Sequence, residues 1–296
     1  MKTLLQNFPE GTNPWIDPVQ NFSMLYKQAE DHLQQIVSLL SQQEEIEKII
    51  CFGNRASGEI LMSCFATPSA QLTVHYFLLV ITNGNERREH LLQDYVNAHF
   101  KGGKITLLSH RKETVENALK AGKPFFHLVY RHGKLLYATD GLLNHSSIGF
   151  TVPLSDTEQL RREYLIGYTL SKGFLRSAED AWEKEDLRIA MFLLHQAMEQ
   201  ACNMLIGVYM HYRSELHNLG RLLDISLCFF ASSDLYPRQR TGDELMFKIL
   251  QSSYSEARYK QNFEVSYSEA KRILDEVAVF IDMVEMACLR KLNKAV

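Results

Sequence analysis

The apolar run LTVHYFLLVIT at residues 72–82 constrains the fold of this chain more than any other segment. Its β-branched and aromatic residues predict a strand. The shorter runs KIICF (48–52) and KITLLS (104–109) predict strands for the same reason. Segments of helical character alternate with them, which predicts a small α/β domain with a mixed sheet. We expect helices at 22–46, 85–99 and 113–122, a helix or loop at 56–70, and a helix or strand followed by a strand at 125–138.

The second half of the chain has a different period. Apolar residues recur every three, four or seven positions, which predicts a helical bundle of the up-and-down type over 159–296. We expect its later helices at 215–231, 243–257 and 267–292. The fold class is therefore α+β. The domain limits that we predict are an irregular leader at 1–21, an α/β domain at 22–140, a linker at 141–158 and a helical domain at 159–296.

Composition narrows the function classes. The chain has 296 residues, of which 46% are hydrophobic and 23% charged, and a net charge of -3. Such a chain is globular, and it binds nucleic acid only through a local basic patch. Its five cysteines are odd in number and lie in apolar runs, which favours buried thiols in a reducing compartment. We find neither a signal-peptide segment nor 18 consecutive apolar residues, so we expect a cytoplasmic protein that does not enter a membrane.

The segment CFGNRASG (51–58) predicts a strand followed by a tight turn. Glycines in such a turn let the backbone approach a phosphate, and Asn54 and Arg55 would add hydrogen bonds. Gly and Asn also make ordinary turns, so both interpretations stay open. FGNRASG resembles the FGSRARG-like motif of the polymerase-β-like, or minimal, nucleotidyltransferase superfamily. HYFLLVIT looks like that family's DxDLLVI strand, and VYRHGKLLYA (129–138) is similar to the segment that closes its domain.

This resemblance spans about residues 30–140. It implies that Gly53, with Asn54 in place of the usual Ser, contacts a nucleotide triphosphate. His75 and Phe77 stand where the family has the acids of Asp-x-Asp, and the later strand offers only Ile105, Thr106 and Leu107 for the third acid. Mg²⁺ requires hard anionic oxygens, and no Asp or Glu occurs between residues 61 and 82. We therefore expect a nucleotidyltransferase-like domain without its metal site, and no cofactor.

The helical half carries three motifs in order: LLHQAMEQACNML (193–205), HNLGRLL (217–223) and YSEARYK (254–260), followed by a long amphipathic helix. Together they resemble the HEPN family (higher eukaryote and prokaryote nucleotide-binding) over residues 160–292. The resemblance implies nucleotide or RNA binding, and a homodimer whose cleft forms across the bundle interface. The nucleotide-binding candidates in this half are His195, Glu199, His217, Asn218 and Arg258.

Many HEPN proteins are metal-independent ribonucleases with an Arg-x(4–6)-His motif. This chemistry needs a general base near the ribose 2′-OH and a cation at the scissile phosphate. Arg213 and His217 enclose three residues, one fewer than usual, and are the candidate catalytic pair. Arg188 and His195 match the spacing literally, but they lie in mid-helix, where the family does not place its motif, so we interpret that match as coincidence.

Structural roles compete with these functional ones. His217 could cap its helix or bond a buried carbonyl. Glu199 could form a surface pair with His195, and Arg258 could pair with an acid of the preceding helix.

We predict a non-catalytic or regulatory nucleotide- or RNA-binding protein that recognises no specific DNA. Two alternatives remain open: a toxin-like HEPN ribonuclease that uses Arg213 and His217 and is restrained by its own N-terminal half, and a pure protein-interaction module.

Overall fold

The computed structural model describes residues 18–43, 45–63, 66–84, 88–140, 157–230, 236 and 242–294, with the backbone alone at 18–26, 57–63, 66–72 and 294. The predicted leader and linker therefore lie almost wholly outside the described residues. The chain divides into two compact units, one containing the strands and the other the long helices of the second half.

The described residues of the first half form a four-stranded mixed sheet. Its strands are β1 (Ile46–Ser63), β2 (Ala66–Thr82), β3 (Gly103–Arg111) and β4 (Lys134–Ala138). Their order is β3-β2-β1-β4, with β2 and β3 parallel and the other neighbours antiparallel. The mixed sheet that the sequence predicts is confirmed. The helices of this half are α1 (Pro18–Ser41), α2 (Glu89–His99), α3 (Lys112–Lys120) and α4 (Pro124–His132).

The predicted turn at CFGNRASG, and the helix or loop predicted at 56–70, are wrong. Strand β1 continues through both segments, and β2 returns from Ala66, so the two strands form one long antiparallel hairpin. Gly53 pairs with Phe77, and the ladder shifts register between Cys51 and Gly53. Pairing with the strongly β-forming run of β2 overrides the local turn preference of Gly and Asn. The turn in which Gly53, Asn54 and Arg55 were expected to bind phosphate is therefore not formed.

Strand β2 is buried on both faces, which accounts for its continuous apolar run. Helices α1 and α2 pack on one face through Ile36, Leu40, Leu92 and Val96, and the residues of β2 in this core cluster alternate along the strand (Val74, Tyr76, Leu78, Val80). Side chains alternate along a strand, so His75, Phe77, Leu79 and Ile81 point to the opposite face. These four residues are also at least nine-tenths buried.

The second unit is a bundle around one central helix. Helix α6 (Leu187–Met210) packs against α5 (Thr157–Glu183), α7 (Leu219–Ser226), α8 (Asp243–Tyr259) and α9 (Tyr267–Lys294). It is buried over most of its length, as expected of a helix that is apolar all round. The predicted helical half is thus confirmed. Within the described residues, no helix has the length and apolar character needed to cross a membrane.

Gly167 of α5 permits the close approach of α6, because a Cβ there would lie 2.4 Å from the Cβ of Met204. We expect Gly167→Ala to lower the free energy of unfolding by about 1–3 kcal/mol. Gly173→Ala, in the same helix, is the matched control: no atom lies within 4 Å of its added Cβ, and Ala gains about 0.5–1 kcal/mol in helix propensity. Denaturant unfolding followed by circular dichroism measures both, and equal stabilities would contradict this packing.

Candidate functional site

The positions at which the nucleotidyltransferase resemblance places metal-binding acids meet in the structure. The rings of His75 and Phe77 lie 4.2 Å apart, and Nε2 of His75 is hydrogen-bonded to Oγ1 of Thr106 at 2.7 Å. All three side chains are buried. An imidazole, a phenyl ring and a hydroxyl do not form the hard oxygen cage that Mg²⁺ requires, so these residues do not fit the metal. In the part of the chain that the structure describes, no cluster of three His, Cys, Asp or Glu side chains could hold a metal ion.

The helical unit contains a cavity of about 550 Å³ between α5, α6 and the segment 211–218 that joins α6 to α7. A cavity of this volume lies in the range of small-molecule sites. The structure brings three of the predicted residues to its wall, Glu199, Arg213 and His217. Sequence reasoning missed the other polar lining residues, which come from all three segments: Glu163, Gln200, Asn203, Ser214 and Glu215.

A hydrogen bond between Glu199 and His217 organises the cavity. Oε1 of Glu199 lies 3.1 Å from Nδ1 of His217. The carboxylate is 6% exposed and the imidazole 57% exposed, so an anchored acid holds an accessible base. Burial raises the pKa of Glu199, and the hydrogen bond and charge of His217 oppose this shift. Because the carboxylate binds Nδ1, the ring is oriented with Nε2 available to a ligand.

His195 lies behind this pair. Its Nδ1 is 3.8 Å from Oε2 of Glu199, and the residue is completely buried. Burial, reinforced by the charges of His217 and Arg258, lowers the pKa of His195 to about 3. It is not among the residues that line the cavity. The structure therefore places His195 behind the cavity wall, and its nucleotide-binding role stays a prediction.

Tyr254 connects His217 to Arg258. The rings of His217 and Tyr254 are stacked at 5.2 Å, and the guanidinium of Arg258 lies 4.3 Å from the centre of the Tyr254 ring. Nε of Arg258 donates to the Tyr254 carbonyl at 2.6 Å. Arg258 forms no ion pair with any residue that the structure describes, so the alternative pairing with an acid is not observed. The sequence signal for Tyr254 was its i,i+4 spacing from Arg258.

Two other residues singled out from the sequence have structural roles. Oδ1 of Asn218 accepts the Arg221 N–H at 3.0 Å, so Asn218, and not His217, caps α7. Arg188 donates to the carbonyls of Ala257 and Gln261, which fixes the turn after α8. The arginine of the literal Arg-x(6)-His match, Arg188, therefore binds backbone carbonyls.

The fold and site define an α+β protein whose helical half holds a polar cavity with an Arg and a His on its wall. Residues 170–287 match the HEPN domain family, so this half contains a HEPN domain. The crystal structure of a nucleotidyltransferase-like protein from Exiguobacterium sibiricum 255-15, at 1.90 Å resolution, is 11% identical and covers 90% of this chain and 78% of its own. Its TM-score of 0.28 is too low to establish a shared fold. No curated protein matches the chain significantly.

The low pKa of His195 predicts a pH dependence of stability. Between pH 6.5, its ordinary pKa, and about 3, the unfolded chain binds a proton at this residue that the folded chain does not. Stability is therefore lost as the pH falls through this window, by up to about 1.4 kcal/mol per pH unit. We expect His195→Gln to remove this contribution from the slope of the free energy of unfolding against pH. In NMR spectra of the native protein, the His195 ring signal should not titrate between pH 8 and 5; a midpoint inside that range would refute the prediction.

Proposed function

We propose that the HEPN cavity binds one nucleotide of RNA or a free nucleotide, as a non-catalytic or regulatory site. The observation that carries this proposal is the presence of Arg213 and His217 on the wall of one cavity large enough for a nucleoside. Arg213 is exposed and has no ion-pair partner among the described residues, so its guanidinium is free to bind a phosphate.

The charges within the cavity favour one orientation of the ligand. Glu163, Glu199 and Glu215 line the same cavity and would repel a phosphate placed among them. Carboxylates accept hydrogen bonds from the amino groups of a base. We therefore place the phosphate at Arg213 and the base among the acidic side chains.

Replacement of Arg213 tests this site. We expect Arg213→Ala to weaken the binding of RNA or nucleotide by about tenfold or more, because a hydrogen bond to a charged group is worth about 1.5–3 kcal/mol. Binding is measured by fluorescence anisotropy for RNA and by calorimetry for nucleotides, in the presence of EDTA. Arg176→Ala, an exposed arginine of α5 that does not line the cavity, is the matched control. Equal affinities of the two variants would count against the site, and no binding by the native chain would favour a pure interaction module.

A second candidate function is metal-independent RNA cleavage, which the Glu199–His217 hydrogen bond favours. Nε2 of His217 would remove the proton of the ribose 2′-OH, and the 2′ oxygen would attack phosphorus to give a 2′,3′-cyclic phosphate. The P–O5′ bond would break, and the leaving 5′ oxygen would take a proton from water. Arg213 would stabilise the charge on the phosphate oxygens. Glu199 would hold the imidazole in the required tautomer.

Cleavage assays separate this candidate from simple binding. If the protein is a ribonuclease, RNA is degraded in EDTA, His217→Ala abolishes the reaction, and Glu199→Gln slows it by about 10–100-fold. RNA with a single 2′-deoxy nucleotide at the cleaved position is the substrate control, because it lacks the attacking hydroxyl. If the protein binds RNA and the RNA stays intact after prolonged incubation, the ribonuclease candidate is refuted and the non-catalytic function is favoured.

We further propose that the protein is a cytoplasmic homodimer through its HEPN domain. Leu165, Ile166 and Leu170 of α5 are 55%, 60% and 41% exposed, and the latter two also line the cavity. A second copy would cover this apolar surface. Light scattering of the native chain should give the mass of two chains, and Ile166→Glu should give that of one.

For the N-terminal unit we propose no metal-dependent nucleotidyl transfer; magnesium-dependent incorporation of label from a nucleotide triphosphate would refute this.

A further inference from the structure

Arg258 is exposed and lies next to Tyr254, whose ring stacks on the cavity residue His217. We propose that it binds a second phosphate, so that the ligand is single-stranded RNA of several nucleotides and not a mononucleotide. This inference rests on the proposed function of the cavity. It adds a contact with the strand outside the cavity.

The guanidinium of Arg258 is held in place before any ligand arrives. Its Nε donates to the carbonyl of Tyr254, and the rings of Tyr254, Phe192 and Tyr259 lie 4.3, 5.3 and 5.0 Å from its central carbon. A side chain already fixed in this way loses little conformational entropy on binding. The terminal nitrogens have no carboxylate partner among the described residues. An exposed, fixed and unpaired arginine is suited to bidentate binding of a phosphate.

Tyr254 places this cation next to the cavity. One side chain, Tyr254, contacts both the His217 ring at 5.2 Å and the Arg258 guanidinium at 4.3 Å. His217 in turn lines the cavity together with Arg213. A strand with one nucleotide in the cavity would therefore need only a few further nucleotides to bring a phosphate to Arg258.

The aromatic surroundings favour RNA over an acidic peptide. Tyr259 is 77% exposed and lies beside the guanidinium, so a base can stack on it while its phosphate binds Arg258. An acidic peptide would bring its carboxylates to the three glutamates of the cavity. Those same carboxylates accept hydrogen bonds from bases.

The test compares ligand lengths in the full-length protein. The probes are a nucleoside monophosphate and a single-stranded RNA of eight nucleotides, both measured in EDTA at several salt concentrations. We expect Arg258→Ala to weaken binding of the octanucleotide about tenfold and to lower the slope of log K against log salt by about 0.7. The affinity for the monophosphate should not change.

Two further variants keep the test falsifiable. Arg258→Lys keeps the charge, so we expect it to keep the salt slope while it loses part of the affinity, because an ammonium ion cannot bind in bidentate fashion. Arg290→Ala removes an exposed arginine of α9 and should leave both ligands unaffected. Equal thermal unfolding midpoints of native and variant proteins show that the fold is intact.

The outcomes distinguish the two proposals. If Arg258→Ala weakens neither ligand, or weakens both equally, the second phosphate site is refuted while the cavity remains. If the native protein binds neither probe, the proposed function itself fails. Displacement of the octanucleotide by poly-glutamate as readily as by unlabelled RNA would overturn the choice of RNA as the ligand.

Discussion

The buried carboxylate of Glu199 is the group on which the arrangement of the cavity depends. Helix α6 is apolar on nearly all sides, so any acid in its middle is surrounded by protein. A buried carboxylate is costly unless a hydrogen-bond donor meets it. His217 supplies a donor for Oε1 from the segment after the helix, while Oε2 has no hydrogen-bond partner among the described residues. The bond ties the segment that carries Arg213 to α6. A requirement of the core thereby places an accessible base and a cation beside one cavity.

Acidic and basic side chains lie at different depths in this site. His195 stays neutral in the interior because its pKa is lowered by burial, and the acidic side chains line the cavity. The arginines lie at the exposed edge, and neither has an acidic partner among the described residues. A chain with a net charge of -3 can therefore offer an anion two local cations without being basic as a whole.

In the N-terminal unit, the positions that the nucleotidyltransferase resemblance compares with metal-binding acids are core positions of the sheet. Strand β2 is buried on both faces, so its ring-bearing side chains are accommodated as core. Nε2 of His75 forms a hydrogen bond with Oγ1 of Thr106 on the neighbouring parallel strand. Carboxylates at these buried positions would need a cation to compensate them, whereas a ring and a hydroxyl compensate each other.

Periodicity in the sequence was enough to predict the α+β class, the mixed sheet and the helices of the second half, because burial of one helix face or of a whole strand imposes its own pattern on the residues. Residue spacing also singled out Glu199, Arg213 and His217, which the structure brings to the wall of one cavity. The sequence did not determine that 51–58 is a strand, since long-range pairing with β2 decides this against local turn preference. Nor did it decide that Asn218, and not His217, caps α7, or single out Tyr254. Those roles depend on distances between elements far apart in the chain, which only the tertiary structure sets.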